Sequence, residues 1–241
     1  MINDYTCVDI ETTGLNPKTD RIIEIGAVKV QNGQITEAFE SFVSPGRKLE
    51  GRITELTGIT DEMLLNAPES KEVIRKFLDF AGEDILLGHS VLFDYSFLKK
   101  AAVNEKLTFE RQGIDTLKIA RKFLPELESR SLGFLCGHFG IAHQAHRAMA
   151  DAAATVQLYE KLAEQFFTEE DFRPAPLIFK VKRETPITKP QKERFCRLLE
   201  QHRLTIEQDS ELSFLLSLEA EKLTRSEASR YMDKLLARCG R

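Results

Sequence analysis

The chain has 241 residues, 42% of them hydrophobic and 30% charged, with a formal net charge of −4. That size holds one sizeable domain and a small one, and that balance excludes a disordered chain. No apolar run approaches the length of a membrane span, and the N-terminus, MINDYT, lacks a basic-then-apolar leader, so the expected location is the cytoplasm. Charge is uneven: residues 1–172 hold 19 Lys and Arg against 28 Asp and Glu, a balance of −9, while residues 173–241 hold 15 against 10, a balance of +5. The acidic part does not hold nucleic acid by charge alone; the basic tail can attract it. The four cysteines, Cys7, Cys136, Cys196 and Cys239, show no CxxC spacing, and two of them lie in apolar patterns that read as reduced packing positions.

In chain order, Tyr5–Ile10 is rich in strand formers and predicts a buried strand, followed by a turn at 12–15. Arg21–Gln31 and Gln34–Val43 read as two more strands, joined by Asn32-Gly33, a strong two-residue hairpin signal. The first three strands should form an antiparallel meander. Ile53–Gly58 and Thr60–Leu65 read as short helical turns, and Glu69–Ala81 has helical spacing of its apolar residues. A short strand at Asp84–Leu87 leads into a helix at Val91–Val103. Gly113–Asp115 reads as one more strand, with helices over Thr116–Phe123, Leu132–Phe139 and Met149–Phe166. This order predicts an α/β fold, a mixed sheet with helices on its faces. Residues 173–187 form a Pro-rich linker in which Leu177–Val181 can pair as a strand. Thr188-x-x-Gln191 and Thr224-x-x-Glu227 look like capping boxes, predicting helices over Pro190–His202 and Arg225–Arg238 with Glu211–Leu218 between them. The domains are therefore 1–172, a linker at 173–187 and a small helical module at 188–241.

Asp9 and Glu11 interrupt the first strand where it should stay apolar. Two apart on a strand, both leave the same face. Such a pair repels unless a cation lies between them, and an oxygen-preferring Mg²⁺ or Mn²⁺ is the economical answer; the alternative is two solvated groups at a fraying strand end. Asp94 falls in the first turn of the helix after Gly88-His89, where it either reaches a metal held by Asp9 or only complements the helix dipole. His146 and Asp151 cannot share a helical face, because five residues turn through about 500°. They converge if His146 lies in the loop and Asp151 in the helix it opens, which suits a movable base beside a fixed ligand; otherwise His146 is an exposed loop residue. Glu24, inside an apolar run, is either an edge charge or a buried group with a specific partner, and a structural role fits it best. Cys136-x-His138 with His143 and His146 has a superficial look of a zinc site, but the spacings match no common zinc pattern.

Val8-Asp9-Ile10-Glu11-Thr12-Thr13-Gly14-Leu15, Gly88-His89 with Phe93-Asp94, and His146 with Asp151 resemble, in order and spacing, the three motifs of the DEDD superfamily of 3′–5′ exonucleases. The resemblance covers about 165 residues. A histidine separated from the last aspartate by four residues marks the DEDDh branch, and the chain is similar to the proofreading epsilon-subunit family of DNA polymerase III. Many relatives carry Asn near the position of Ser90, a departure that removes no metal ligand. The resemblance implies a ribonuclease H-like fold and two divalent ions, Mg²⁺ or Mn²⁺, which in such sites clamp a scissile phosphate from about 3.5–4 Å apart. It further implies that Asp9 bridges both ions and that Glu11 and Asp151 complete the first site. Asp94 would support the second through water, and His146 would take the proton of the attacking water. Thr12, Gly14 and Leu15 would meet the terminal nucleotide, with His89 and Phe93 lining its pocket.

The implied function is release of nucleoside monophosphates from single-stranded or frayed 3′ ends, DNA first, with a polymerase or repair complex as a partner. One rival is an RNA-trimming exonuclease. Another is a non-catalytic module that holds nucleic acid or a polymerase, against which the intact set of five residues argues. In the tail, Lys189, Lys192, Arg194, Arg197 and Arg203 crowd one predicted helix and suggest a contact with nucleic acid, with a solvated bundle or dimer contact as the alternative.

Overall fold

The computed structural model describes residues 1–143, 146–209 and 211–240. β1 (Tyr5–Thr12), β2 (Ile22–Gln31) and β3 (Gln34–Phe42) form the expected antiparallel meander. Asn32 and Gly33 take φ of 51° and 76°, the positive values that a tight hairpin turn demands. Next come α1 (Gly51–Thr57), α2 (Asp61–Leu64) and α3 (Ser70–Ala81). β4 (Leu86–Gly88) pairs parallel to β1, α4 (Val91–Asn104) follows, and β5 (Gln112–Asp115) pairs parallel to β4. Then come α5 (Thr116–Phe123), α6 (Leu132–Phe139), α7 (Ala148–Phe166) and β6 (Ala175–Pro176), which lies antiparallel on β5. Among the described residues the sheet order is β3-β2-β1-β4-β5-β6, a mixed ribonuclease H-like sheet with helices on its faces.

Alternation along β1 divides the core. Val8 and Ile10 pack with α3 and α4 on one side, whereas Tyr5 and Cys7 face α7 on the other. α7 runs back over this second row: Tyr159 meets the Tyr5 ring edge-on at 5.5 Å, and the Cys7 thiol donates to the Ala152 carbonyl at 3.3 Å. Asp9 and Glu11 continue the same row, so the pleat itself delivers them to the N-terminus of α7. That close approach needs Gly26, paired with Asp9 on β2, because a Cβ there would lie 2.2 Å from the Ala148 and Met149 backbone.

The strand expected at Leu177–Val181 is not formed. The pairing residues are Ala175 and Pro176, after which the Leu177 N–H donates to the Arg111 carbonyl at 2.9 Å. Pro174 and Pro176 lack the N–H that a longer ladder requires, and this is an edge strand, where proline is tolerated. The remainder of 173–187 is laced to the sheet domain: Leu177 and Phe179 join its core, and Glu184 pairs with Lys100 at 2.5 Å and receives Asn104 Nδ2–H at 3.2 Å.

Beyond it lie α8 (Lys189–Gln201), α9 (Arg203–Gln208) and α10 (Arg225–Cys239), with 3₁₀ turns at Ser213–Ser217 and Ala220–Lys222. Both capping boxes are present. α9 is an addition to the expected set, six residues beginning directly after the turn at His202. Phe195, Ile206, Leu215, Leu223 and Leu235 belong to a buried cluster of this segment's own. Ser210 and Arg241 of the expected module lie outside the described residues. Of its basic side chains, Lys192 pairs with Glu221 and Arg203 with Glu207. Among the described residues no helix is long and apolar enough to cross a membrane.

Candidate active site

At the end of β1, carboxylate oxygens of Asp9, Glu11 and Asp151 all lie within 4.8 Å of one another. Asp151 sits in the first turn of α7, where the N-terminal dipole favours a negative charge. The concentration of like charge in a partly dry cleft is visible in the acidities. Burial first, then the charges of Asp94, Asp151, Glu11 and Glu24, push Asp9 well above the usual carboxylate range. Burial, Asp151 and Glu24 push Glu11 up to about 7, with Arg147 pulling the other way. An all-oxygen donor set of this kind suits a hard divalent cation such as Mg²⁺ or Mn²⁺, which would remove the repulsion the protein leaves uncompensated.

Asp94 lines the same cleft as this trio. It is buried in the first turn of α4, and its Oδ1 accepts the N–H of Ile10, the residue between Asp9 and Glu11, at 3.1 Å. Burial raises its pKa as well, against the pull of that N–H. α4 is thus tied to the middle of the carboxylate pair, close enough for Asp94 to act on Asp9 by charge.

His146 precedes α7 in the left-handed region, φ 64°, with its side chain exposed to the cleft. Its backbone N–H donates to Asp151 Oδ2 at 3.0 Å. The histidine and the aspartate therefore converge across the loop-to-helix boundary, as the spacing argument required. Glu24 fixes that boundary. Fully buried on β2 opposite Glu11, it accepts Arg147 Nη2–H at 3.0 Å and the Ala148 N–H at 3.1 Å. The Arg147 side chain, at the residue before α7, makes no capping bond to that helix, and Glu24 serves from a neighbouring strand. It is the buried, specifically partnered group among the two readings of its position.

The cleft, about 460 Å³, is lined also by His89, Phe93 and Ser131–Gly133. Both ring nitrogens of His89 are engaged: Nε2–H donates to the Arg130 carbonyl at 2.8 Å, leaving Nδ1 to accept from the Thr116 hydroxyl at 2.9 Å. Burial holds this imidazole below its ordinary pKa, so it is a neutral wall of the pocket. Phe93 lies against Phe97, ring centroids 5.1 Å apart. Ser90 opens α4 at φ 73°, a backbone state that asparagine tolerates better than serine, and its N–H is held by Asp115 at 2.9 Å. Thr12, Gly14 and Leu15 are not part of the lining. They continue β1 past Glu11 as a loop in which the Thr12 hydroxyl donates to the Gly14 carbonyl at 2.7 Å and Leu15 is 84% exposed.

Two features escaped the sequence reading. His143 Nε2 contacts Asp151 Oδ1, and the start of α6, capped by Ser131, forms one wall. The zinc-like spacing drew attention to His143 in another context. That set is not assembled: Cys136 is buried in the core, and His138 packs edge-on against Phe139. Among the described residues the one group placed to hold a metal is Asp9, Glu11 and Asp151.

The family described as Exonuclease (RNase_T) matches residues 6–159. The PolC-type DNA polymerase III of Bacillus subtilis is 44% identical over 162 residues, that is 66% of this chain but only 11% of the polymerase. The corresponding protein of Clostridium perfringens is 39% identical over 168 residues, 68% of this chain and 12% of that one. The chain therefore spans only a small part of the length of these polymerases. Exonuclease X in complex with 5′-overhanging duplex DNA shares the fold with a TM-score of 0.57 and 24% identity, over 70% of this chain and 96% of that one. The E. coli exonuclease I complex with single-stranded DNA gives 0.63 and 20%, over 69% and 41%. With the family matching more than half of its length, the chain belongs to the exonuclease family and is a nuclease.

Proposed function

We propose that the protein is a metal-dependent 3′–5′ exonuclease that releases nucleoside monophosphates from single-stranded or frayed 3′ ends, DNA in preference to RNA. The chain then divides into a nuclease domain at 1–172, a connector at 173–187 and a helical module at 188–241. The observation that carries this function is the convergence of three carboxylates within 4.8 Å beside a histidine whose backbone is tied to one of them. The likeness to PolC-type polymerase III favours DNA as the substrate and a replication or repair complex as the partner, and a cytoplasmic location goes with that reading.

Asp9, Glu11 and Asp151 would hold the divalent ions, with Asp94 supporting the second of them through water. Bound there, such ions supply Lewis-acid stabilisation of the scissile phosphate and lower the pKa of water. The chain's own residues do the rest. His146, exposed on the cleft, accepts the proton of the attacking water at an imidazole nitrogen. A positioned base of this kind contributes about 10²–10⁴-fold. Phe93 offers an aromatic face to an unpaired base, and His89, neutral and locked, shapes the pocket without competing for the proton. Thr12, Gly14 and Leu15 border the terminal sugar and base.

The test is digestion of 5′-labelled and 3′-labelled single-stranded DNA, RNA and a mismatched primer–template, with Mg²⁺, Mn²⁺ or EDTA. The expected result is immediate mononucleotide release from the 3′ label, a descending ladder from the 5′ label, and silence in EDTA. Internal cuts, mononucleotides from the 5′ end, or full activity in EDTA would overturn the reading.

A further inference from the structure

The helical segment at the C-terminus is built into the nuclease. We propose that α10 holds the loop leaving the active-site strand, and that Arg230 and Glu227 are positioning residues for the 3′-terminal nucleotide. The inference rests on the proposed exonuclease function, in which Thr12, Gly14 and Leu15 border that nucleotide.

The loop begins directly after Thr12, the last residue of β1, and turns back at Asp20. Asp20 Oδ2 accepts the Asn16 N–H at 3.0 Å, and the Asp20 N–H donates to the Asn16 carbonyl at 2.8 Å. Gly14 lies flat on this carboxylate; a Cβ there would be 2.5 Å from Oδ2. At the base of the loop the Thr13 N–H donates to the Arg21 carbonyl at 2.9 Å, and the Arg21 N–H donates to Thr13 Oγ1 at 3.0 Å. The path of Gly14 and Leu15 therefore depends on where Asp20 and Thr13 are held.

Both are held in part from α10. Asp20 is 6% exposed, and Arg230 Nη1–H donates to its Oδ1 at 2.6 Å. Arg21 grips Glu227 through Nε and Nη2, each 2.8 Å from a different carboxylate oxygen. Arg47 Nη2–H donates to Thr13 Oγ1 at 2.8 Å while its guanidinium lies over the Tyr231 ring of α10 at 5.5 Å. Glu227 is itself 2% exposed and aimed by its own capping box, accepting the Thr224 N–H at 2.9 Å. The charges alternate through the interface. Without α10, Arg21 and Arg47 would crowd the base of the loop with Asp20 as the acid left in the network. Bidentate, charge-paired geometry of this kind specifies orientation, and losing one partner leaves the other charge buried and uncompensated.

The carboxylate trio does not rest on this network: Asp9 and Glu11 are on β1, and Asp151 is held by α7 and Glu24's anchoring of it. A loosened loop should therefore weaken binding of the 3′ end and spare the chemical step.

The experiment compares the full-length wild type with Arg230→Met, Glu227→Gln and the conservative Arg230→Lys. It measures kcat and KM on a trinucleotide and on a long single strand, and hydrogen–deuterium exchange of residues 12–20. Arg230→Met and Glu227→Gln should raise KM about three- to tenfold on both lengths, the net effect of about one hydrogen bond passed on through the loop. kcat should stay within about twofold, loop exchange should accelerate, exchange within α8 should not, and Arg230→Lys should restore most of the loss. Unchanged KM with unchanged loop exchange sinks the proposal. So does a raised KM with an unchanged loop, which would make Arg230 a direct nucleic-acid contact. A wild-type chain inert on every nucleic acid refutes the nuclease reading instead, while the exchange arm still decides whether α10 holds the loop.

Discussion

Two groups of buried charge flank the exit of β1, and they are built on opposite plans. Asp9, Glu11, Asp94 and Asp151 carry one sign, and three of the four are pushed up in pKa by burial and by one another. Asp20, Arg21, Arg47, Glu227 and Arg230 alternate in sign, and every one of them has an opposite partner within 4.0 Å. The second group satisfies itself and behaves as an adhesive between segments far apart in sequence. The first has backbone N–H partners at Asp94 and Asp151 but keeps its like-charge repulsion until something positive arrives. Like charges gathered in a cleft mark a site of work, and alternating charges mark a joint.

The largest break in this contrast should come from Asp9→Ala. It is expected to abolish Mn²⁺ binding by calorimetry and to lower kcat at least about 10³-fold, the scale of losing a central catalytic group. Retained metal affinity would move the centre elsewhere. His146→Ala should cost about 10²–10⁴-fold in kcat with Mn²⁺ binding intact, whereas His143→Ala should cost less than about tenfold by the same scale. The reverse order would make His143 the base.

Glu24 is the member of the acidic neighbourhood that is paired with an arginine, so it sharpens the comparison. Glu24→Gln keeps the shape but weakens the hold on Arg147 and the Ala148 N–H, and should lower stability by about 2 kcal/mol, as expected for loss of a charged hydrogen-bond acceptor. kcat should drop with it, because His146 lies just before Arg147. A variant with wild-type melting and wild-type kcat would show that α7 needs no anchor from β2.

The smallest effect concerns metal-free protein. An unfolded Glu11 ionises near 4.5 and the folded one at about 7. Between those values the folded state binds the extra proton, so stability falls as pH rises through the window. Glu11→Gln should weaken that slope and raise metal-free stability at pH above the window by ~1–3 kcal/mol, since each tenfold change in an acid dissociation constant is worth about 1.4 kcal/mol. Mn²⁺ should stabilise the wild type there more than the variant. An unaltered slope would mean that Glu11 is already relieved by the protein itself.

The nuclease site was legible because its signal is local in pattern though not in sequence. Asp9 and Glu11 violate a period of two, His146 and Asp151 sit across a helix start, and Asn32-Gly33 sets the meander. Less was legible where the cause is a contact across the fold. No spacing rule links Ile10 to Asp94, Glu24 to Ala148 or Arg21 to Glu227, so Asp94's bond to the Ile10 N–H, Glu24's partner and the docking of α10 all had to be seen. The Leu177–Val181 strand failed for a different reason: its apolar pattern was right for burial, and Leu177 and Phe179 join the core, but burial of side chains does not require a ladder, and pairing ends with Ala175–Pro176 and the Leu177 N–H. α9 was overlooked because six residues with a polar face carry too little periodicity to register.

Gly26 and Glu24 also govern timing. The bonds that finish the cleft span 84 residues from Ile10 to Asp94 and 124 from Ala148 to Glu24. The meander needs only local pairing and can form early, with Asp9 and Glu11 open to water. The cleft cannot close until the start of α7 reaches the bare backbone at Gly26, and long-range contacts of this kind are the slow ones. Because a chain emerges N-terminus first, a growing polypeptide of this sequence is expected to carry half of its metal-binding acids long before it can cut anything. The hydrolytic power is acquired only when α7 docks, and it is lost when α7 lifts away.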